Sequence, residues 1–238
     1  MTPSPDDLLI VEGLDKDFTL HLHSGQRLPV VRDVAFAVKR GECVVLGGPS
    51  GVGKSSILKI VFGNYLTQQG HIWLADGARF LDVASATPRE IVDARRRLMG
   101  YVSQFLRVIP RVSALDIVAA AARDAGLEAK AARIRAASLL ARLNLPERLW
   151  TLPPATFSGG EQQRVNIARG FAGEHHLLIL DEPTASLDAA NREAVVELIA
   201  ERRAQGAGFL AIFHDEDVRA RVADRVIDVS LFSRREAA

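Results

Sequence analysis

Residues Gly48-Pro49-Ser50-Gly51-Val52-Gly53-Lys54-Ser55 constrain this chain more than any other stretch. They fit the spacing G-x-x-x-x-G-K-[ST], and their surroundings fit as well: Glu42-Cys43-Val44-Val45-Leu46 suits a strand buried on both faces, and residues 56–62, opening with Ser56, have helical spacing. Glycines at 48, 51 and 53 permit a turn in which successive backbone N–H groups converge, and the next helix adds the positive end of its dipole. A turn of this kind cradles phosphate oxygens. Lys54 would reach the β- and γ-phosphates of a nucleotide, and the Ser55 hydroxyl would ligate Mg²⁺.

Composition narrows the rest. A chain of 238 residues with 48% hydrophobic content can bury a sizeable core and reads most simply as one α/β domain spanning 1–238. Its 30 basic and 29 acidic residues leave a net charge of +1, without the basic stripe of a nucleic-acid binder or the polybasic patch of a membrane anchor. The single cysteine, Cys43, rules out an internal disulfide and suits a reducing compartment; before the phosphate loop it reads as a core thiol. No apolar run approaches the ~20 residues of a membrane span, and the first residues lack the pattern of a signal peptide. A soluble cytoplasmic protein is expected.

Before the loop, residues 8–22 and 30–38 alternate apolar and polar side chains, with Val34, Phe36 and Val38 on one face, and read as antiparallel strands joined near Ser24-Gly25. Phe18 lies on this sheet, where periodicity alone makes it a core aromatic. His21 and His23 read as solvated edge side chains, with no third metal ligand nearby. Asp76-Gly77 between Ile72-Trp73-Leu74 and Arg79-Phe80-Leu81 signals a hairpin. Thr87-Pro88-Arg89-Glu90 opens a capped helix to about Leu98, on which Arg95-Arg96-Arg97 read as a solvated face. Tyr101-Val102-Ser103-Gln104 breaks the pattern. An alanine-rich helical stretch follows, with Ser113 capping one helix to about Gly126 and a second over 128–143, so that roughly 103–171 forms a helical subdomain inserted into the α/β core.

Ser158-Gly159-Gly160-Glu161 opens a further helix whose glycines leave N–H groups unshielded. Leu177-Leu178-Ile179-Leu180 is typical of a central parallel strand and ends in Asp181-Glu182, where carboxylates face the ligand crevice. Asp181 would hold Mg²⁺, and Glu182 would orient and deprotonate an attacking water. A second apolar strand over 209–213 ends at His214, on the same presumed phosphate side.

The ordered set Lys54, Gln104, Ser158-Gly159-Gly160, Asp181-Glu182, Ser186-Leu187-Asp188 and His214 resembles the ATP-binding cassette (ABC) family over nearly the whole chain. Phe157-Ser158-Gly159-Gly160-Glu161-Gln162-Gln163-Arg164 is similar to its signature sequence. The resemblance implies a phosphate-loop NTPase core with an antiparallel β subdomain and an inserted α-helical subdomain, ATP and Mg²⁺ as cofactors, and hydrolysis of ATP. It further implies a head-to-tail pair, as a homodimer or with a sister cassette, in which Ser158, Gly159, Gly160 and Glu161 of one copy complete the γ-phosphate site of the other. Gln104 resembles the residue that senses Mg²⁺, Asp188 the one at the dimer seam, His214 the switch histidine, and Phe18 the aromatic that stacks on adenine. Phe157, Glu161 and Phe18 stand where the family usually has Leu, Gln and Tyr.

A narrower resemblance, carried by 103–111, 142–150 and 157–170, is to the cassette ATPases of the phosphonate carbon–phosphorus lyase system. It implies soluble lyase subunits as partners and a part in joining phosphonate to the ribose C1 of ATP with loss of adenine. The competing readings are the motor of a membrane transporter of lipoprotein-release or macrolide-export type, which would add a permease, and a slow ATP-dependent clamp. A DNA-repair cassette is disfavoured, since no heptad-rich insertion separates the nucleotide motifs.

Overall fold

The computed structural model describes residues 4–20, 26–107 and 109–232. Two sheets organise the chain. Strands β1 (Asp7–Leu20) and β2 (Gln26–Lys39) pair antiparallel as their alternation demands, and β1 also pairs with β4 (Gln69–Asp76), which turns through Asp76-Gly77 into β5 (Arg79–Asp82). The resulting order is β2-β1-β4-β5. The expected connection at Ser24-Gly25, together with His21 and His23, lies outside the described residues.

The second sheet is wholly parallel. It holds β3 (Cys43–Gly47), β6 (Met99–Val102), β7 (Leu177–Asp181), β8 (Gly208–Ile212) and β9 (Arg225–Asp228) in the order β6-β7-β8-β3-β9. Its central strands are apolar up to their carboxyl ends, where β7 closes in Asp181, because both faces are covered. Val44, Leu46, Leu177, Ile179, Leu210 and Ile212 face a core shared with β1, β2 and the helix α1 (Lys54–Val61). Cys43, Val45, Leu178, Leu180, Phe209 and Ala211 face a second core built by helices. Burial pushes the Cys43 thiol up to about 12, as befits a core residue.

The helices covering that second face are α3 (Ala114–Asp124), α4 (Ala129–Arg142), the single turn α5 (Glu147–Trp150), α6 (Gly159–Gly170), α7 (Ala189–Ala204) and α8 (Glu216–Val222). Their starts are written into the sequence: Ser113 caps α3, Glu128 caps α4, and Ser158 forms a reciprocal capping box with Glu161. Helix α2 (Pro88–Arg97) has the same device in Thr87 and Glu90. Of its three arginines, Arg96 and Arg97 are exposed as the sequence predicts, and Arg95 departs from that solvated face. Arg97 pairs with Asp76 and Asp93, whereas Arg95 lies over the Phe62 ring at 4.6 Å and donates to the Phe62 carbonyl at 2.9 Å. Met99–Val102 forms a strand where the sequence shows no period, because two of its four side chains are Met99 and Gly100 and its register is imposed by β7.

Close packing at β6 depends on a missing side chain. A Cβ on Gly100 would come within 2.7 Å of Leu178 Cδ2 and 2.8 Å of both the Gly170 carbonyl oxygen and His175 Nδ1. Gly100→Ala should therefore lower unfolding free energy by about 1–3 kcal/mol, read from denaturant midpoints. Burial, aided by the Arg202 guanidinium, also pushes the adjacent His175 imidazole from 6.5 down to about 4. The unfolded chain takes up that proton near 6.5 and the folded chain does not, so this contribution to stability is present above 6.5 and is lost as pH falls toward 4. Melting curves across that range should show the loss, and His175→Gln should flatten it.

Candidate active site

Because β3, β6, β7 and β8 run parallel, their carboxyl ends lie at one edge of the sheet, and the loops leaving them carry the residues singled out from the sequence. The loop after β3 turns through Gly48, Gly51 and Gly53, all at positive φ, into α1. Gly53 is the tightest of these. Its φ is 108°, and a Cβ there would lie 2.9 Å from Val31 Cγ1 and 3.0 Å from Val30 Cγ1, so only glycine lets the loop lie against β2. Lys54 folds back over the loop and donates from Nζ to the carbonyls of Gly48 and Pro49, each at 2.8 Å. Val52 packs on the adjoining core.

Ser55, the next residue, donates from Oγ to Asp181 Oδ1 at 3.0 Å. Tyr101 on β6 donates its hydroxyl to Asp181 Oδ2 at 3.3 Å. Asp181 is only 3% exposed, and burial pushes its carboxyl above the ordinary range while the two hydroxyls pull it down. A buried carboxylate held by two neutral hydroxyls beside a phosphate-binding turn is short of positive charge, and its hard oxygen donors suit Mg²⁺.

Glu182 follows in the left-handed region at φ 52°, a conformation costing on the order of 1 kcal/mol for a residue with a Cβ. Its N–H donates to the Ile212 carbonyl at 3.1 Å, holding the kink against β8. The kink delivers the carboxylate to two partners from neighbouring strands: Gln104 Nε2 donates to Oε2 at 3.2 Å, and His214 Nε2 lies 2.8 Å from Oε1. A cleft of about 300 Å³ opens in front of these groups, lined by Phe18, Leu28, Val30, Ser50, Gly51, Gly53, Lys54, Ser55, Ser56, Glu182 and His214. At its rim the Phe18 ring meets Tyr65 edge-on at 5.3 Å, with Lys16 Nζ 4.9 Å from its centroid, so it is not the plain core aromatic that periodicity suggests.

Ser158, Gly159, Gly160 and Glu161 do not line this cleft. They form the start of α6, with Ser158 and Gly159 exposed and Gly160 and Glu161 half-buried; the space beside Gly159 is open, and a Cβ on Gly160 would stand 3.0 Å from the Ser186 carbonyl. Asp188 is likewise exposed and caps α7, accepting from the Asn191 N–H at 2.9 Å. Two groups of predicted residues therefore exist on the molecule, one gathered in a cleft and one on an outer surface.

Several supporting residues escape sequence reading. Tyr101 sits on a four-residue edge strand without a period. Arg192 donates to the Leu187 carbonyl at 3.0 Å and pairs with Asp215 at 2.9 Å, tying the loop before α7 to the segment beside His214. Asn144, in a left-handed turn at φ 54°, donates to Asn191 Oδ1 at 3.2 Å. Only Gln163 and Asn166 leave a trace in the sequence, as amides on the apolar side of α6.

Comparison with known proteins agrees with this geometry. Residues 31–185 match the family model described as ABC transporter. The lipoprotein-releasing system ATP-binding protein LolD of Maricaulis maris is 38% identical over 221 residues, covering 89% of this chain and 93% of LolD. The macrolide export ATP-binding/permease protein MacB of Brucella melitensis is 36% identical over 223 residues, covering 93% of this chain and 33% of MacB, so the chain spans about one third of that relative's length. Among solved structures, the dimeric post-hydrolysis state of the ATP-binding cassette MJ0796 bound to ADP and Pi superposes with a TM-score of 0.83 at 25% identity, covering 93% of this chain and 95% of that one. With a phosphate loop, a strand-end acid pair and a glycine-rich helix start placed as described, the chain belongs to the ABC transporter family of ATP-binding cassette ATPases.

Proposed function

We propose that this chain is a Mg²⁺-dependent ATPase subunit working as an ATP-sandwich dimer, in which two copies, or one copy and a sister cassette, each complete the other's site. The observation that carries this reading is the division of the residues. Lys54, Ser55, Glu182 and His214 line one cleft, and Asp181 and Gln104 are joined to it through hydrogen bonds to Ser55 and Glu182; Ser158, Gly159, Gly160, Glu161 and Asp188 stand apart from it, with Ser158, Gly159 and Asp188 exposed where a second molecule can receive them. The dimeric arrangement of MJ0796 supports it.

In this reading the amides of 48–56 and the start of α1 hold the phosphates, and Lys54 exchanges its two carbonyl acceptors for phosphate oxygens. Ser55 and Asp181, with Gln104, hold Mg²⁺, which neutralises charge on the phosphates when bound. Glu182 takes the proton of the attacking water. Gln104 and His214 fix its two oxygens beforehand, so little reorganisation is left for the reaction itself. Phe18 offers a face on which adenine stacks.

The names of LolD and MacB support coupling to a membrane permease, with this chain as the cytoplasmic motor. Among the described residues no helix is long and apolar enough to cross a membrane, so the spanning part would belong to a partner. The docking face on this reading lies beside Gln104, where Phe105 is 75% exposed and lines a hollow with Arg107 and Arg169, and Ile109, further along the same segment, is 53% exposed. A second reading rests on the resemblance of 103–111, 142–150 and 157–170 to carbon–phosphorus lyase cassettes. In it the same stroke acts on soluble lyase subunits during synthesis of ribose 1-phosphonate 5-triphosphate.

Glu182→Gln should keep ATP affinity, lose about a hundredfold or more in turnover and accumulate as an ATP-bound dimer in size-exclusion chromatography; unchanged hydrolysis would remove Glu182 as the base. Lys54→Ala should abolish nucleotide binding. A wild-type chain that dimerises on ATP yet shows negligible turnover with its partners present would instead be a clamp. Affinity purification of the Glu182→Gln form from phosphonate-grown cells, with and without detergent, separates the couplings: an integral membrane protein is expected for the permease, and soluble lyase polypeptides without detergent for the second reading.

A further inference from the structure

The inner face of α6 carries amides that the scheme above does not use. Asn166 is 0% exposed and Gln163 is nearly so, on the helix whose Val165, Ile167 and Ala168 join the apolar core. Burying an amide in such surroundings is costly unless each polar atom is paired, and here each amide is held. Asn166 Nδ2 donates to the Ser103 carbonyl at 2.5 Å and to Gln163 Oε1 at 3.3 Å, while Asn166 Oδ1 accepts from Arg169 at 3.2 Å. Gln163 Nε2 donates to the Pro183 carbonyl at 3.0 Å.

The two carbonyls are informative. Ser103 immediately precedes Gln104, and Pro183 immediately follows Glu182, the pair whose side chains bond each other at 3.2 Å. The backbones that set this spacing are thus held by one helix, and that helix begins at Ser158-Gly159-Gly160, of which Ser158 and Gly159 are exposed. A helix moves nearly as a rigid rod, and a hydrogen bond lost beyond about 3.5 Å gives the clamp little slack.

We propose that Asn166 and Gln163 are positioning residues that tie the outward start of α6 to the Gln104–Glu182 pair. Docking of α6 on a second molecule then fixes the pair at working distance in the same chain. This rests on the sandwich reading above. Arg169, half-buried beside Asn166, completes the clamp by donating to its Oδ1.

The test is the steady-state ATPase of Asn166→Leu, which keeps roughly the volume and removes the donors and the acceptor. The expected result is a kcat lowered roughly tenfold with KM for ATP held within about twofold. Dimerisation of the Asn166→Leu, Glu182→Gln double variant on ATP should match that of Glu182→Gln alone. Asn166→Asp, which keeps the acceptor for Arg169 and loses the donor to Ser103, should show the same kcat loss. An unchanged kcat in either folded variant overturns the proposal, as does a parallel loss of dimerisation and turnover. Failure of both variants to fold also overturns it, leaving Asn166 a core residue only. If Glu182→Gln alone does not dimerise on ATP, the sandwich reading fails first, before Asn166 is altered, and this inference falls with it.

Discussion

Everything at the candidate site depends on a parallel sheet buried on both faces. Parallel strands end at the same edge, so the loops leaving β3, β6, β7 and β8 must converge there, although 166 residues separate Gly48 from His214 in the chain. Burial on both sides holds the strands at fixed spacing. That spacing is what allows three consecutive strand ends to meet on the Glu182 carboxylate at hydrogen-bonding distance.

The site also stores a modest cost. Glu182 occupies a left-handed backbone conformation, and Asp181 keeps a carboxylate in a dry place where burial raises its pKa. Both features are supported from outside: β8 receives the Glu182 N–H, and the hydroxyls of Ser55 and Tyr101 reach Asp181. Strain and desolvation thus fall on adjacent residues, each held by a different element, as is common at functional sites.

Helix α6 links the two groups of residues. Its start is glycine-rich, with Ser158 and Gly159 exposed, while its inner face reaches the backbones on either side of Gln104 and Glu182. Gly160 lies close to the Ser186 carbonyl, and Arg164 donates to the Asn144 carbonyl at 2.6 Å, so the loop before α7 and the turn after α4 bear on the same helix. The division into an inward cleft and an outward surface is therefore mechanically connected.

Local physics alone determined much of this. The phosphate loop, the Asp76-Gly77 hairpin, the capped starts of α2, α3 and α6, and the apolar runs of β3, β7 and β8 follow from backbone freedom at glycine, side-chain capping and burial pattern, all of which act over a few residues. Tertiary structure decided the rest. Met99–Val102 becomes a strand because β7 offers a partner, Arg95 is drawn from solvent because Phe62 lies beside it, and the Asn166 amide finds one of its acceptors 63 residues away. Contacts such as that of Asn166 with the Ser103 carbonyl, which adds to its bonds with Gln163 and Arg169 on the same helix, join residues distant in the chain, and no short-range pattern encodes which distant groups will meet.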